Sequence, residues 1–188
     1  MNWAVFAIAS WLLFGAELGM RIALGPSWMA PSFVLPLLVF VGLFAQPVTV
    51  YWAALALGLV TDLTNLVEAG DGGGRLFIVG PYALGYLVAG QLVLTLRGIM
   101  IRRNPLTMGF LAIVASIVAH IVVIAFMTAH KLYGEPVVWT AGTELAHRLG
   151  MSVATGVSAF ALSLLFFPLS PALGLATGQP RRFARRMA

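Results

Sequence analysis

Residues 106–129 read LTMGFLAIVASIVAHIVVIAFMTA. No Asp, Glu, Lys or Arg interrupts this run, and His120 is its one group that titrates near neutrality. A helix of about 20 apolar residues crosses the hydrocarbon core of a bilayer, so this stretch predicts a transmembrane helix and directs the reading of the rest. The composition points the same way. Of 188 residues, 61% are hydrophobic and 9% are charged, and the mean hydropathy is +0.98. A water-soluble domain carries about 25% charged residues. A soluble enzyme, a disordered regulator and a secreted disulfide scaffold are therefore excluded. With no cysteine in the chain, disulfides, thiolate metal sites, cysteine nucleophiles and iron–sulfur clusters are excluded as well. The formal charge of +5 would suggest nucleic acid in a soluble protein. In a membrane protein, basic residues set orientation and meet anionic headgroups.

Working outward from this run, six spans are expected, at about 2–19, 31–45, 48–66, 76–96, 106–129 and 149–167. They make an all-α six-helix bundle over residues 1–170, followed by a basic tail at 171–188. Gly25-Pro26-Ser27, Gln46-Pro47, the Glu68–Arg75 loop, the Arg97–Pro105 connector, the polar His130–Arg148 stretch and Pro168 with Pro171 separate them. The first span is expected to be retained, because no basic n-region precedes it and no Ala-x-Ala site follows. Glu17 and Arg21 near its end are spaced for a helical ion pair. Trp28 suits an interfacial position. Six spans place both termini on one side. With the termini inside, the inner segments hold Arg97, Arg102, Arg103, Arg181, Arg182, Arg185 and Arg186. The outer ones hold Arg21, Arg75, Lys131 and Arg148. The positive-inside rule then predicts both ends cytoplasmic.

Among polar residues within the spans, Asp62 is the most informative. An acid at membrane depth costs several kcal/mol on insertion scales and must face protein or water. Gly58, Asp62 and Asn65 share a helical face. One reading makes Asp62 a proton or cation site or a partner anchor. The other has it reach headgroups or cap a neighbouring helix, and under that reading Asp62→Asn should retain much of the function. Glu144 and His147 have the spacing of one half of a di-iron motif, without the second copy and further acids that such a site needs. His120 suits a neutral imidazole bonded to a neighbouring helix. Gly72-Gly73-Gly74 lacks the Lys-Ser/Thr of a phosphate loop. Ser116, Ser152, Ser158 and Ser163 lack the partners of a hydrolase triad. Ser152, Gly156, Ala159 and Ser163 form a small-residue stripe suited to close helix packing, within the bundle or with a foreign helix. No catalytic residue, cofactor or metal is expected. The Arg97–Arg103 connector and the Arg181–Arg186 tail suit a cytoplasmic partner or an anionic lipid surface, and Phe183 between the arginine pairs favours the lipid for the tail.

Three of these features combine into a resemblance. Gly58-Leu-Val-Thr-Asp62-Leu63, then Gly80-Pro-Tyr-Ala-Leu-Gly85-Tyr86-Leu87, then Arg97, Arg102 and Arg103 resemble the MreD family of rod shape-determining proteins. The match covers about Gly58 to Arg103, and the chain departs from the family pattern in its longer turn from Asn65 to Arg75. The resemblance implies a small six-span body similar in fold to the substrate-capturing membrane subunits of energy-coupling-factor transporters. It implies a non-enzymatic role in bacterial cell-wall elongation at the inner membrane. The partners it implies are the bitopic MreC, the glycosyltransferase RodA, a transpeptidase penicillin-binding protein and the actin-like MreB. Candidate structural or partner-binding residues are then Gly58, Asp62, Asn65, Gly80, Gly85, Tyr86, Arg97, Arg102, Arg103, Gly156, Ala159 and Ser163. The alternative is a small-molecule-binding transporter subunit, with Asp62, Asn65, Gln91 and His120 as internal polar candidates.

Overall fold

The computed structural model describes residues 1–25, 30–65, 67–68, 75–76, 78–133 and 141–175. Trp28, Gly72–Gly74 and the Arg181–Arg186 tail lie outside the described residues. The helices are α1 (Trp3–Leu24), α2 (Val34–Phe44), α3 (Pro47–Thr64), α4 (Pro81–Leu96), α5 (Pro105–Leu132) and α6 (Ala141–Leu169). Two-residue strands β1 (Val67–Glu68) and β2 (Arg75–Leu76) pair antiparallel between α3 and α4, so the ends of the expected Glu68–Arg75 loop form a short ladder. The helix starts follow local chemistry. The Asn2 side chain accepts from the N–H groups of Ala4 and Val5 to cap α1, and Asn104 accepts from Leu106 to cap α5. Pro47, Pro81 and Pro105 open α3, α4 and α5, where a missing N–H costs nothing.

By length and apolarity, α1, α3, α5 and Glu144–Leu169 of α6 are able to cross a bilayer. The other two helices are shorter than the sequence reading expects: α2 has 11 residues and α4 has 16. At 1.5 Å per residue, α2 is about 16 Å long, roughly half the hydrocarbon thickness. Every residue from Val34 to Leu43 is buried. A helix apolar on all sides and buried on all sides is a core element, and α2 is the centre of this bundle. Phe40 in α2 packs its ring against Phe44 and against Phe166 and Phe167 of α6. By contrast, α1 buries only Phe6, Ser10, Phe14 and Glu17 and leaves Trp11 and Ile22 at least 80% exposed, a surface suited to lipid.

The most extensive helix contact joins α5 to α6. There Gly109 and Gly156 face each other: a Cβ added to either would stand 3.1 Å from the other's carbonyl oxygen. Ser152, Ala159 and Ser163 are fully buried. The small-residue stripe of α6 is thus consumed inside the bundle, because small residues permit this close approach of backbones, and it offers no face to a foreign helix. The Asn2 N–H donates to the Leu173 carbonyl at 2.8 Å, so the start of α1 and the segment after α6 meet at one end. Successive helices run up and down between that end and the other, where α1, α3 and α5 finish.

Candidate functional site

Asp62 lies in the last turn of α3 and is 2% exposed. Its Oδ2 accepts from the N–H groups of Gly80 (2.9 Å) and Ala83 (3.1 Å), and its Oδ1 accepts from Tyr82 (2.9 Å). These are the orphan donors at the start of α4, where the helix dipole also favours a negative charge. Gly80 turns the chain into α4 at φ +129°, a conformation that side-chain-bearing residues rarely adopt. One turn before Asp62, Gly58 lets the two backbones touch: a Cβ there would come within 2.8 Å of the Ala83 nitrogen and the Tyr82 oxygen. Gly85 does the same against α5, where a Cβ would stand 2.9 Å from the Ala119 oxygen. Tyr86 is buried edge-on to Tyr82. Gly58, Asp62, Gly80, Gly85 and Tyr86 therefore form one joint that locks α3, α4 and α5.

A second buried acid plays the same part for α2. Glu17 in α1 is 3% exposed. Its Oε2 accepts from Ser32 Oγ (2.9 Å) and from the N–H groups of Phe33 (2.9 Å) and Val34 (3.3 Å). Its Oε1 pairs with Arg21 at 2.6 Å. Arg21 reaches on to Asn65 Oδ1 at 2.9 Å, which ties α1 to the end of α3. At the far end of α2, one Arg97 nitrogen donates to the carbonyls of Gly42 (3.2 Å) and Ala45 (2.7 Å). A half-length helix is therefore closed at its N-terminus by a carboxylate and at its C-terminus by a guanidinium. Arg102 and Arg103, on the connector into α5, are exposed.

Because α2 and α4 begin late, the end of the bundle opposite Asn2 is hollow. A cavity of about 250 Å³ lies there, bordered by Arg21 and Asn65, by Tyr82, and by Glu144, His147 and Arg148 of α6. Arg148 pairs with Glu144 at 3.1 Å and donates to the Tyr82 hydroxyl at 2.8 Å. The His147 Nε2 is buried and has no hydrogen-bond partner among the described residues. His120 lies next to this group, joined to the Arg148 carbonyl through the Ser152 hydroxyl. Its Nδ1 lies 3.1 Å from Ser152 Oγ and 3.4 Å from Ser116 Oγ, an imidazole bonded between α5 and α6. Gln91 bonds Tyr51 across α4 and α3. Glu144 and His147 do not join a metal cluster: among the described residues no three of His, Cys, Asp and Glu gather.

The structure thus brings together Asp62 with Gly58 and Gly80, and Asn65 with Arg21. Asn65 bonds Arg21, Gln91 bonds Tyr51 and His120 bonds Ser116 and Ser152, so the internal polar candidates of the transporter reading share no side-chain hydrogen bond among the described residues. Sequence reading placed Glu17 only as the partner of Arg21, and it did not single out Tyr82 or Arg148 as site residues. An acid two turns before the end of an apolar run was the available signal for Glu17. For Arg148, it was a basic residue four after Glu144. No family model matches the chain, and no curated protein or solved structure matches it.

Proposed function

We propose that this chain is a non-enzymatic membrane scaffold of the bacterial cell-wall elongation machinery, a protein of the MreD kind. In this reading it lies in the cytoplasmic membrane with both termini inside and binds the single span of an MreC-like protein. The observation that carries the reading is the use made of the resembling residues. Gly58, Asp62, Gly80 and Gly85 hold helices together through backbone contacts and a helix cap, the work expected of a motif that maintains a shape. Seven basic residues against four across the alternating segments support the orientation. Since the α6 stripe is occupied by α5, the sparsely covered outer face of α1 becomes the place for a partner helix, with an RodA-like glycosyltransferase, a transpeptidase and an MreB-like actin in the wider assembly.

The test is co-expression with the MreC-like and other elongation proteins of the source organism, followed by mild-detergent purification. Co-purification of an MreC-like chain, abolished by bulky polar substitutions at Trp11 and Ile22, is the expected result. Reporter fusions at Arg103 and Ala188 should both read cytoplasm. A folded protein that never retains an MreC-like chain would overturn the scaffold reading. The polar cavity favours a second reading, a ligand-binding subunit of an energy-coupling-factor-type transporter. Capture of a coupling subunit together with a bound metabolite would support it.

A further inference from the structure

We propose that the cavity at the end of the bundle binds a small zwitterion, whose oxyanion meets Arg21 and, on a turn of the ring that borders the cavity, the buried Nε2 of His147, and whose ammonium group meets Glu144. The inference rests on neither functional reading above. It begins with space: about 250 Å³ has room for roughly eight waters, each taking about 30 Å³ of liquid, or for a polar group of similar size. Ionisable residues in a membrane protein face the protein interior or a water-filled cavity and are functional candidates. Here three helices contribute such residues or polar partners to one cavity wall.

Unmet hydrogen bonding supplies the second, independent observation. The His147 Nε2 is the one buried side-chain nitrogen or oxygen without a partner among the described residues; it lies on the covered side of a ring that borders the cavity, and leaving such a group unmade is costly. Arg21 uses one nitrogen for Asn65 and another for Glu17. Of the five N–H donors on a guanidinium, three remain without a partner among the described residues. Glu144 receives Arg148 on Oε2, its Oε1 takes no bond among the described residues, and its side chain is 38% exposed. The cavity therefore presents spare donors and a spare acceptor.

Charge balance selects the ligand class. Arg21 is offset by Glu17 and Arg148 by Glu144, so the wall has no net charge to draw in a lone anion or cation. A ligand that carries both signs satisfies both kinds of spare group without leaving either charge uncompensated. A free amino acid has this chemistry, and so does the phosphoethanolamine headgroup of a phospholipid. The position of the cavity at the bundle end gives both access.

The experiment uses the full chain, purified in detergent and delipidated. Phosphoethanolamine and glycine are the soluble zwitterionic probes, with inorganic phosphate, acetate and ethylamine as single-charge controls, read by thermal unfolding and calorimetry. In a parallel arm, protein is released from nanodiscs of mixed phosphatidylethanolamine and phosphatidylglycerol into a native mass spectrometer. A zwitterionic probe at about 10 mM should raise Tm by mass action, and the controls should not. His147→Leu and Glu144→Gln should each weaken binding by about tenfold. His147→Leu should at the same time leave basal Tm unchanged or raised, since it removes an unpaired buried nitrogen. If His147→Leu unfolds the protein, Glu144→Gln at the partly exposed rim decides. Retention of phosphatidylethanolamine with no response to soluble probes assigns the headgroup as the source, and the reverse assigns a free metabolite. The proposal is overturned by the absence of both, by binding that neither substitution weakens, or by phosphate or ethylamine binding as tightly as the zwitterions.

Discussion

Replacing Asp62 tests the joint between α3 and α4 directly. Asp62→Leu keeps the branching of the side chain but removes the acceptor of three N–H groups, those of Gly80, Tyr82 and Ala83. Each buried donor left unpaired costs about 1–3 kcal/mol, and hydrogen bonds measured inside membrane proteins run from about 0.6 to about 2 kcal/mol, so each of the three contributes about 1–2 kcal/mol. The expected loss is about 3–6 kcal/mol, against a typical total stability of about 5–15 kcal/mol. The sequence alone suggests that Asp62→Asn would keep much of the function, since an amide also accepts. The geometry adds a cost in stability. Both carboxylate oxygens are in use, and an amide offers one oxygen and one NH2. With the amide oxygen in the Oδ2 position, the bonds to Gly80 and Ala83 survive, and the NH2 then faces the Tyr82 N–H, donor against donor. Asp62→Asn should therefore lose about 1–3 kcal/mol, clearly less than Asp62→Leu. Unfolding of detergent-solubilised protein by increasing SDS, followed by the fluorescence of its five tryptophans, measures both. Equal losses for the two variants, or a loss below about 1 kcal/mol for Asp62→Leu, would refute the capping argument.

The same assay separates further substitutions. Glu17→Leu leaves the Phe33 and Val34 N–H groups and Arg21 without their acceptor and should cost about 3–5 kcal/mol. Glu17→Gln can keep its amide oxygen on Ser32, Phe33 and Val34 and should cost about half as much. Gly58→Ala drives a methyl group into the backbone of α4 and should destabilise by about 1–3 kcal/mol. Gly15→Ala in α1, where a Cβ meets nothing within 4 Å, should be neutral or stabilising. Arg97→Met strands the Gly42 and Ala45 carbonyls at a cost of about 1–3 kcal/mol. Because one nitrogen makes both bonds, Arg97→Lys should recover most of that loss in the same SDS titration.

Hydropathy made the long helices legible, because α1, α3, α5 and the part of α6 after Arg148 are largely apolar runs; it did not show that α6 begins at Ala141, inside the polar stretch read as a connection. It could not show where α2 and α4 begin. Residues such as Phe33, Ile78 and Val79 are as apolar as the helices they precede, and what halts the helix is a distant acceptor that holds their neighbours' N–H groups. Ser32 before α2 and Gly80-Pro81 before α4 were the local punctuation that marked those starts. Asp62 was legible as a residue that must face something, since an acid in an apolar run has few places to go. Glu17 was harder to read, because its spacing to Arg21 supplied a sufficient local partner and hid the contact with Ser32, Phe33 and Val34. The cavity was not legible at all. It exists because two helices stop short, and Arg21, Tyr82 and His147 come from three helices far apart in the chain.

The closure of α2 at both ends has a consequence for how the chain is made. Its N-terminal cap, Glu17, has already been synthesised when α2 emerges, but its C-terminal cap, Arg97, comes 52 residues after Ala45. An 11-residue helix is too short to span the bilayer as it leaves the insertion machinery. Its last carbonyls have no donor until the end of α4 arrives. The C-terminal closure of residues 34–44 therefore follows the synthesis of α3 and α4. The order of assembly is written into the distance between an arginine and the helix it closes.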